Sequence, residues 1–150
     1  MPLWSDQAAM STFAESARQA FGFLEDLGFR FRADDSNLPR YADAYFEKAG
    51  IRVRVYWEQR DGVVVTYVGR RRAFGLLSPR ELGLGFLDDL DHAQQGDQIH
   101  ELEDERLRAE LARQAEVLRS RGEGLLKGDP AAWNDLARRQ RLYWKDFRRQ

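Results

Sequence analysis

No cysteine occurs among these 150 residues, which removes disulfides, thiolate metal sites and cysteine nucleophiles together. No apolar run approaches the ~20 residues that span a bilayer, so a membrane partner is not expected. The opening, Met1-Pro2-Leu3-Trp4-Ser5-Asp6-Gln7, has no basic start followed by an apolar stretch. No signal peptide is therefore expected, and the expected location is cytoplasmic. Histidine is limited to His92 and His100. Acids stand near both in Asp89, Asp91 and Glu101, but one histidine falls in an expected loop and the other on an expected exposed helix. With no HExxH or equivalent spacing to make ligands converge, no metal site is expected. Lysine (three) is scarce beside arginine (21), and isoleucine is confined to Ile51 and Ile99. Arginine codons are GC-rich while lysine and isoleucine codons are not, so the bias reads as GC-rich coding. Arginine abundance is then no nucleic-acid signal, and nucleic acid is not expected as a partner.

Catalytic signatures are missing too. Gly83-Leu84-Gly85 lacks the rest of a GxGxxG, and neither a GK[ST] phosphate loop nor a GxSxG elbow occurs. The acid pairs Asp34-Asp35 and Asp88-Asp89 sit in polar segments where carboxylates are ordinarily solvated. No catalytic residue, cofactor or small-molecule ligand is expected.

What is present centres on Ile51 to Arg70, IRVRVYWEQRDGVVVTYVGR. Ile51, Val53, Val55 and Trp57 fall on one face of a strand, and Arg52, Arg54, Tyr56 and Glu58 on the other. Beyond Arg60-Asp61-Gly62 a second β-branched run carries Val63, Val65 and Tyr67. A three-residue loop with Gly62 left-handed sets Trp57 opposite Val65 and Val55 opposite Tyr67, placing every apolar residue on one side. A two-residue loop at Asp61-Gly62 sets Thr66 opposite Trp57, a poorer match. The expectation is the three-residue loop.

Upstream, Met10, Phe13, Ala14, Ala17, Phe21 and Leu24 recur at helical spacing behind a Ser5 cap, with Gly22 a weak point and Gly28 a terminator. Phe29 to Arg32 alternates as a short strand. Arg40 to Gly50 fits a helix through Ala42, Tyr45, Phe46 and Ala49, or a strand through Tyr41, Asp43, Tyr45 and Glu47. The strand is preferred: with Lys48-Ala49-Gly50 as loop it sets Tyr45 against Val53 and Tyr41 against Trp57. Downstream, Ser78-Pro79-Arg80-Glu81 reads as a capping box that starts a helix. Asp97 caps a second helix with the stripe Ile99, Leu102, Leu107, Leu111, Ala115 and Leu118. Asp129-Pro130 opens a third, whose aromatic face (Trp133, Leu136, Tyr143 or Trp144, Phe147) predicts docking with Trp133 and Trp144 shielded. The fold class expected is α+β: an N-terminal helix on a four-stranded antiparallel meander, followed by C-terminal helices. Length favours one domain, with residues 1–77 as helix–meander core and 78–150 as helical part.

The net charge of −1 hides a polar layout. Glu81 to Glu105 holds nine acids and no base, whereas Pro130 to Gln150 holds six bases against Asp135 and Asp146. The bland reading is two solvated surfaces; the functional one is an acidic surface offered to a basic protein partner through Asp88, Asp89, Asp91, Glu101, Asp104 and Glu105.

The succession "FGFLEDLGFR", "IRVRVYWEQRDGVVVTYVG", "SPREL" and "GLLKGDPAAWNDLARRQRLYW" resembles the small bacterial proteins encoded beside polymorphic toxins, the immunity-protein type. The resemblance implies a non-catalytic cytoplasmic inhibitor that occludes a cognate toxin, and it carries over no individual residue. The alternative is a subunit or adaptor of a bacterial defence or regulatory complex, docked through the C-terminal helix.

Overall fold

A computed structural model describes residues 12–71, 80–87, 99–100 and 105–149. Helix α1 covers residues 12–20, breaks at Phe21-Gly22, and resumes as the short α2 (Phe23–Asp26). The single helix expected up to Leu27 is thus two pieces, with the break at Gly22, whose backbone loses the most conformational freedom in a helix. Gly28 ends α2 as expected: at φ 95° it lets its own N–H reach Glu25 and the Phe29 N–H reach Leu24, the paired bonds of a Schellman terminus. Ser5, Asp6 and Met10 lie outside the described residues.

Strands β1 (Arg30–Asp34), β2 (Tyr41–Lys48), β3 (Ile51–Glu58), β4 (Val63–Arg70) and β5 (Arg80–Gly83) form one antiparallel sheet in sequence order. Residues 40–50 are strand, as preferred, but both expected registers are one residue out. The β2–β3 turn has two residues, Ala49 and Gly50, with positive φ of 48° and 82°, and it pairs Lys48 with Ile51. Ala42, Ala44 and Phe46 therefore share a face with Trp57, Val55 and Val53, while Tyr41 and Tyr45 turn to the other side. The helix laid on this sheet explains the outcome: Ala42 and Ala44 are buried, and tyrosine in their place would hold the helix off.

The β3–β4 connection has four residues, not three, and pairs Glu58 with Val63 and Trp57 with Val64. Gly62 is left-handed as expected (φ 64°). Its carbonyl accepts from Ile99 N–H, and the Gln59 carbonyl faces His100 Nδ1 at 2.7 Å. This register places Thr66, not Tyr67, on the core side, where Thr66 is buried and bonded to Gln114 Oε1. Gln114 Nε2 in turn donates to the Val64 carbonyl at 2.8 Å and to Glu110 at 2.9 Å. A helix side chain thus satisfies the threonine, so its burial is not penalised.

Residues Arg80–Gly83 are strand, not the first turn of a helix. Local capping chemistry loses to pairing with β4, which sets Leu82 opposite Val68 and buries both. A 3-10 turn, Leu84–Leu87, follows and buries Leu84 and Leu87. Ile99 and His100 are not helical either, and Asp97 lies outside the described residues. Helix α3 (Glu105–Arg121) carries the expected stripe, with Leu107, Leu111, Ala115 and Leu118 buried. After the short α4 (Glu123–Leu126), Asp129 caps α5 (Pro130–Arg149), its Oδ1 accepting from Ala131 N–H at 3.1 Å.

The core lies on one face of the sheet. Phe13 packs against Trp57 and Phe21 against Phe46, at 6.4 and 5.9 Å between ring centroids, while α3 covers β4 through Gln114. Helix α5 docks mainly by its first half. Trp133 and Leu136 are buried, but Trp144 is 47% and Phe147 57% exposed, so the shielding expected for Trp144 does not occur. Among the described residues no helix is long and apolar enough to cross a membrane.

Trp57 is 2% exposed and donates its indole N–H to the Ile99 carbonyl at 3.0 Å. Trp57→Ala should cost about 3–5 kcal/mol in chemical denaturation. Trp144→Ala should stay within about 0.5 kcal/mol of wild type; equal losses would contradict the half-docked α5.

Candidate protein-binding face of the sheet

Strand alternation sends half of every strand to the second face, where no described helix lies over β1 to β4. Arg32, Tyr45, Arg54, Tyr67 and Gly83 stand in register across its middle, one from each strand. Cations and rings alternate: the Arg32 guanidinium lies 4.2 Å from the Tyr45 centroid and Arg54 lies 4.7 Å from that of Tyr67. On one side run Asp34, Asp43, Tyr56 and Val65, and on the other Arg30, Glu47, Arg52, Gly69 and Glu81. The rings of Tyr41 and Tyr56 meet at 5.9 Å.

Arg54 holds the face together. Its Nη1 donates to Asp43 Oδ1 at 2.9 Å and its Nε to Glu81 Oε2 at 2.8 Å, joining β2, β3 and β5. Asp43 is only 6% exposed. Burial pushes its carboxyl above the ordinary value; Arg54 pulls the other way, and the charges of Asp34 and Glu81 add to the rise. Asp43 and Glu81 share the one cation, so neither carboxylate has it to itself. Burial also opposes the charge on Arg54, but the hydrogen bond and charge of Glu81, with those of Asp43, outweigh it and keep the guanidinium protonated. Burial lifts the phenols of Tyr45, Tyr56 and Tyr67, so they remain neutral donors.

At the β5 rim, Gly83 carries no side chain where a Cβ would stand 3.1 Å from the Phe86 ring. Phe86 reaches Tyr143 of α5 at 5.3 Å, and Tyr143 meets Trp144 at 5.2 Å and stacks with Phe147 at 6.4 Å. The central row thus runs on, through Phe86, into the exposed aromatics of α5. Gln140 Oε1 fixes this junction by accepting the Gly83 N–H at 2.9 Å.

Of the acids expected to bind a partner, Glu105 is exposed at the start of α3, while Asp88, Asp89, Asp91, Glu101 and Asp104 lie outside the described residues. Among the described residues no three histidine, aspartate or glutamate side chains are grouped to hold a metal ion. Sequence reasoning missed Asp43, Tyr45, Tyr67 and Glu81 as members of one face. The small-residue alternation Ala42, Ala44, which marks the side a helix can approach, was the available signal. Comparison with protein-family models, with curated proteins and with solved structures finds no match.

Arg54→Met leaves Asp43 and Glu81 unpaired, and about 3 kcal/mol of stability should go with it near neutral pH. Removing the cation raises the Asp43 carboxyl further above its unfolded value, so its protonated form is then the better tolerated in the fold. The loss relative to wild type should therefore shrink as pH falls toward about 4. Urea unfolding of both proteins at the two pH values reads this, and a pH-independent difference would speak against the ion triad.

Proposed function

We propose that the chain is a non-catalytic protein-binding protein, an inhibitor of the immunity type that occludes a cognate bacterial toxin. The observation that carries this reading is the tyrosine–arginine row. Tyrosine and arginine are the residues that most often dominate binding energy at protein interfaces. Here they are held in place by ion pairs and ring contacts before any partner arrives, which reduces the side-chain entropy lost on binding. Occlusion needs a broad rigid surface rather than a cleft, and five strands in register supply one.

The acidic stretch remains the second part of the proposed contact, with Asp88, Asp89, Asp91, Glu101, Asp104 and Glu105 steering a basic partner toward the face. A toxin whose own substrate is polyanionic would present such a basic surface.

The exposed end of α5 favours a second reading, an adaptor in a defence or regulatory complex. Leu142, Tyr143, Trp144 and Phe147 are all exposed, a contiguous apolar patch of the kind that marks docking sites.

Co-expression with the product of the neighbouring gene, followed by binding kinetics, separates these readings. Under the inhibitor reading, Tyr45→Ala and Tyr67→Ala each weaken binding by about 2 kcal/mol and reduce protection of the host cell. Reversal of Asp88, Asp89 and Asp91 to lysine slows association mainly at low salt. If Trp144→Ala abolishes binding while the tyrosine and lysine variants behave as wild type, the adaptor reading takes its place.

A further inference from the structure

We propose that the depression beside the β2–β3 turn is a binding site for the diphosphate group of a small molecule. It encloses about 320 Å3, the small end of the ~300–1,000 Å3 that ligand pockets span. Its lining brings together Arg30 from the first strand, Lys48 and Arg52 from the two sides of the turn, and Arg71 just beyond β4. Four cations and one carboxylate, Glu47, line it, with Lys48 on the helix side of the sheet and Arg30 and Arg52 on the other. That carboxylate is already divided between Arg32 at 3.2 Å and Arg52 at 3.7 Å.

The cations differ in how far they are engaged. The Lys48 ammonium donates to the Leu27 carbonyl at the end of α2 and lies 5.7 Å from the Phe29 centroid. It is thereby fixed at the wall. Arg30 and Arg71 are exposed and meet no carboxylate among the described residues. Like charges gathered without counter-charges repel, and an anion relieves that repulsion. Planar guanidinium groups match phosphate oxygens in paired hydrogen bonds, which a lone ammonium does not.

Backbone shape keeps the space open. Gly28 and Gly50 both line the depression at positive φ, 95° and 82°. A Cβ on Gly28 would stand 3.5 Å from the Lys48 ammonium, and one on Gly50 would stand 3.6 Å from the Arg71 Cβ. A side chain at either position would occupy space that the anion uses. A diphosphate concentrates more negative charge in this volume than a single phosphate, and its two groups can engage Arg30 and Arg71, the two cations that no described carboxylate holds. The oxyanion chemistry is the same whether the diphosphate is free or carried by a nucleoside.

Calorimetric titration with pyrophosphate, ADP and sulfate at matched ionic strength tests the site, with amide shifts of isotope-labelled protein locating it. Pyrophosphate should bind one to one and shift Gly28, Ala49, Gly50 and Arg71. Replacing Arg30 and Arg71 by glutamine should weaken it by about tenfold per guanidinium removed, the usual loss for one charge-assisted hydrogen bond. Glu47→Gln should instead strengthen binding, a gain that misfolding cannot imitate. ADP tighter than pyrophosphate assigns a nucleoside carrier, and ADP weaker assigns a free diphosphate; both support the site. Equal shifts with sulfate, shifts at other residues, or undiminished binding by the double glutamine variant would overturn it.

Discussion

A strand repeats every two residues, so the two-residue turn at Ala49-Gly50 decides which side of the protein every residue of β2 faces. With Lys48 set opposite Ile51, small alanines lie where helices α1 and α2 approach and tyrosines lie where nothing described covers them. A slip of one residue would bury Tyr41, Asp43 and Tyr45 under the helices and expose Phe46. The core, the ion triad and the tyrosine–arginine row all follow from this single register. Glycine at the second turn position makes the conformation inexpensive there, while Ala49 adopts positive φ at some cost.

Much of the fold could be read from local pattern. The alternation of Ile51, Val53, Val55 and Trp57 gave the central strand and its buried face. Gly28, Gly62 and Asp129 acted where their chemistry placed them. What could not be read was set by partners distant in the chain. Matching apolar residues across strands puts both hairpin registers one residue out, because the deciding contacts are a helix on the Ala42 and Ala44 side and Gln114 beside Thr66. Likewise Ser78-Pro79-Arg80-Glu81 satisfies every local rule for a helix start. Only the β4 edge and the Arg54 side chain, many residues upstream, make Arg80–Gly83 a strand. The candidate face was legible only along β3, where Arg52, Arg54 and Tyr56 fall opposite the core as expected; its other members come from strands whose registers must all be right before they meet.

The two faces of the sheet are held by different physics. On the covered side, apolar area removed from water supplies the stabilisation, and polar groups enter only when paired, as Thr66 is with Gln114. On the other side, placement is enforced by a half-buried arginine between two carboxylates and by cations over rings. Such contacts contribute little net stability but penalise misplacement heavily, because one lost partner strands a charge. The face that no described helix covers is thereby held in register by its own side chains.

Gln140 also bears on how this sheet meets other sheets. By accepting the Gly83 N–H it occupies a main-chain donor that a further strand at the β5 margin would need. The opposite margin, β1, pairs with no further strand among the described residues, but it is five residues long and carries Arg30, Arg32 and Asp34. Short, charged border strands resist edge-to-edge pairing. A protein that leaves aromatic rings on one broad surface could readily stack into fibres through its borders. Here one side-chain amide and three charges disfavour such growth at the borders.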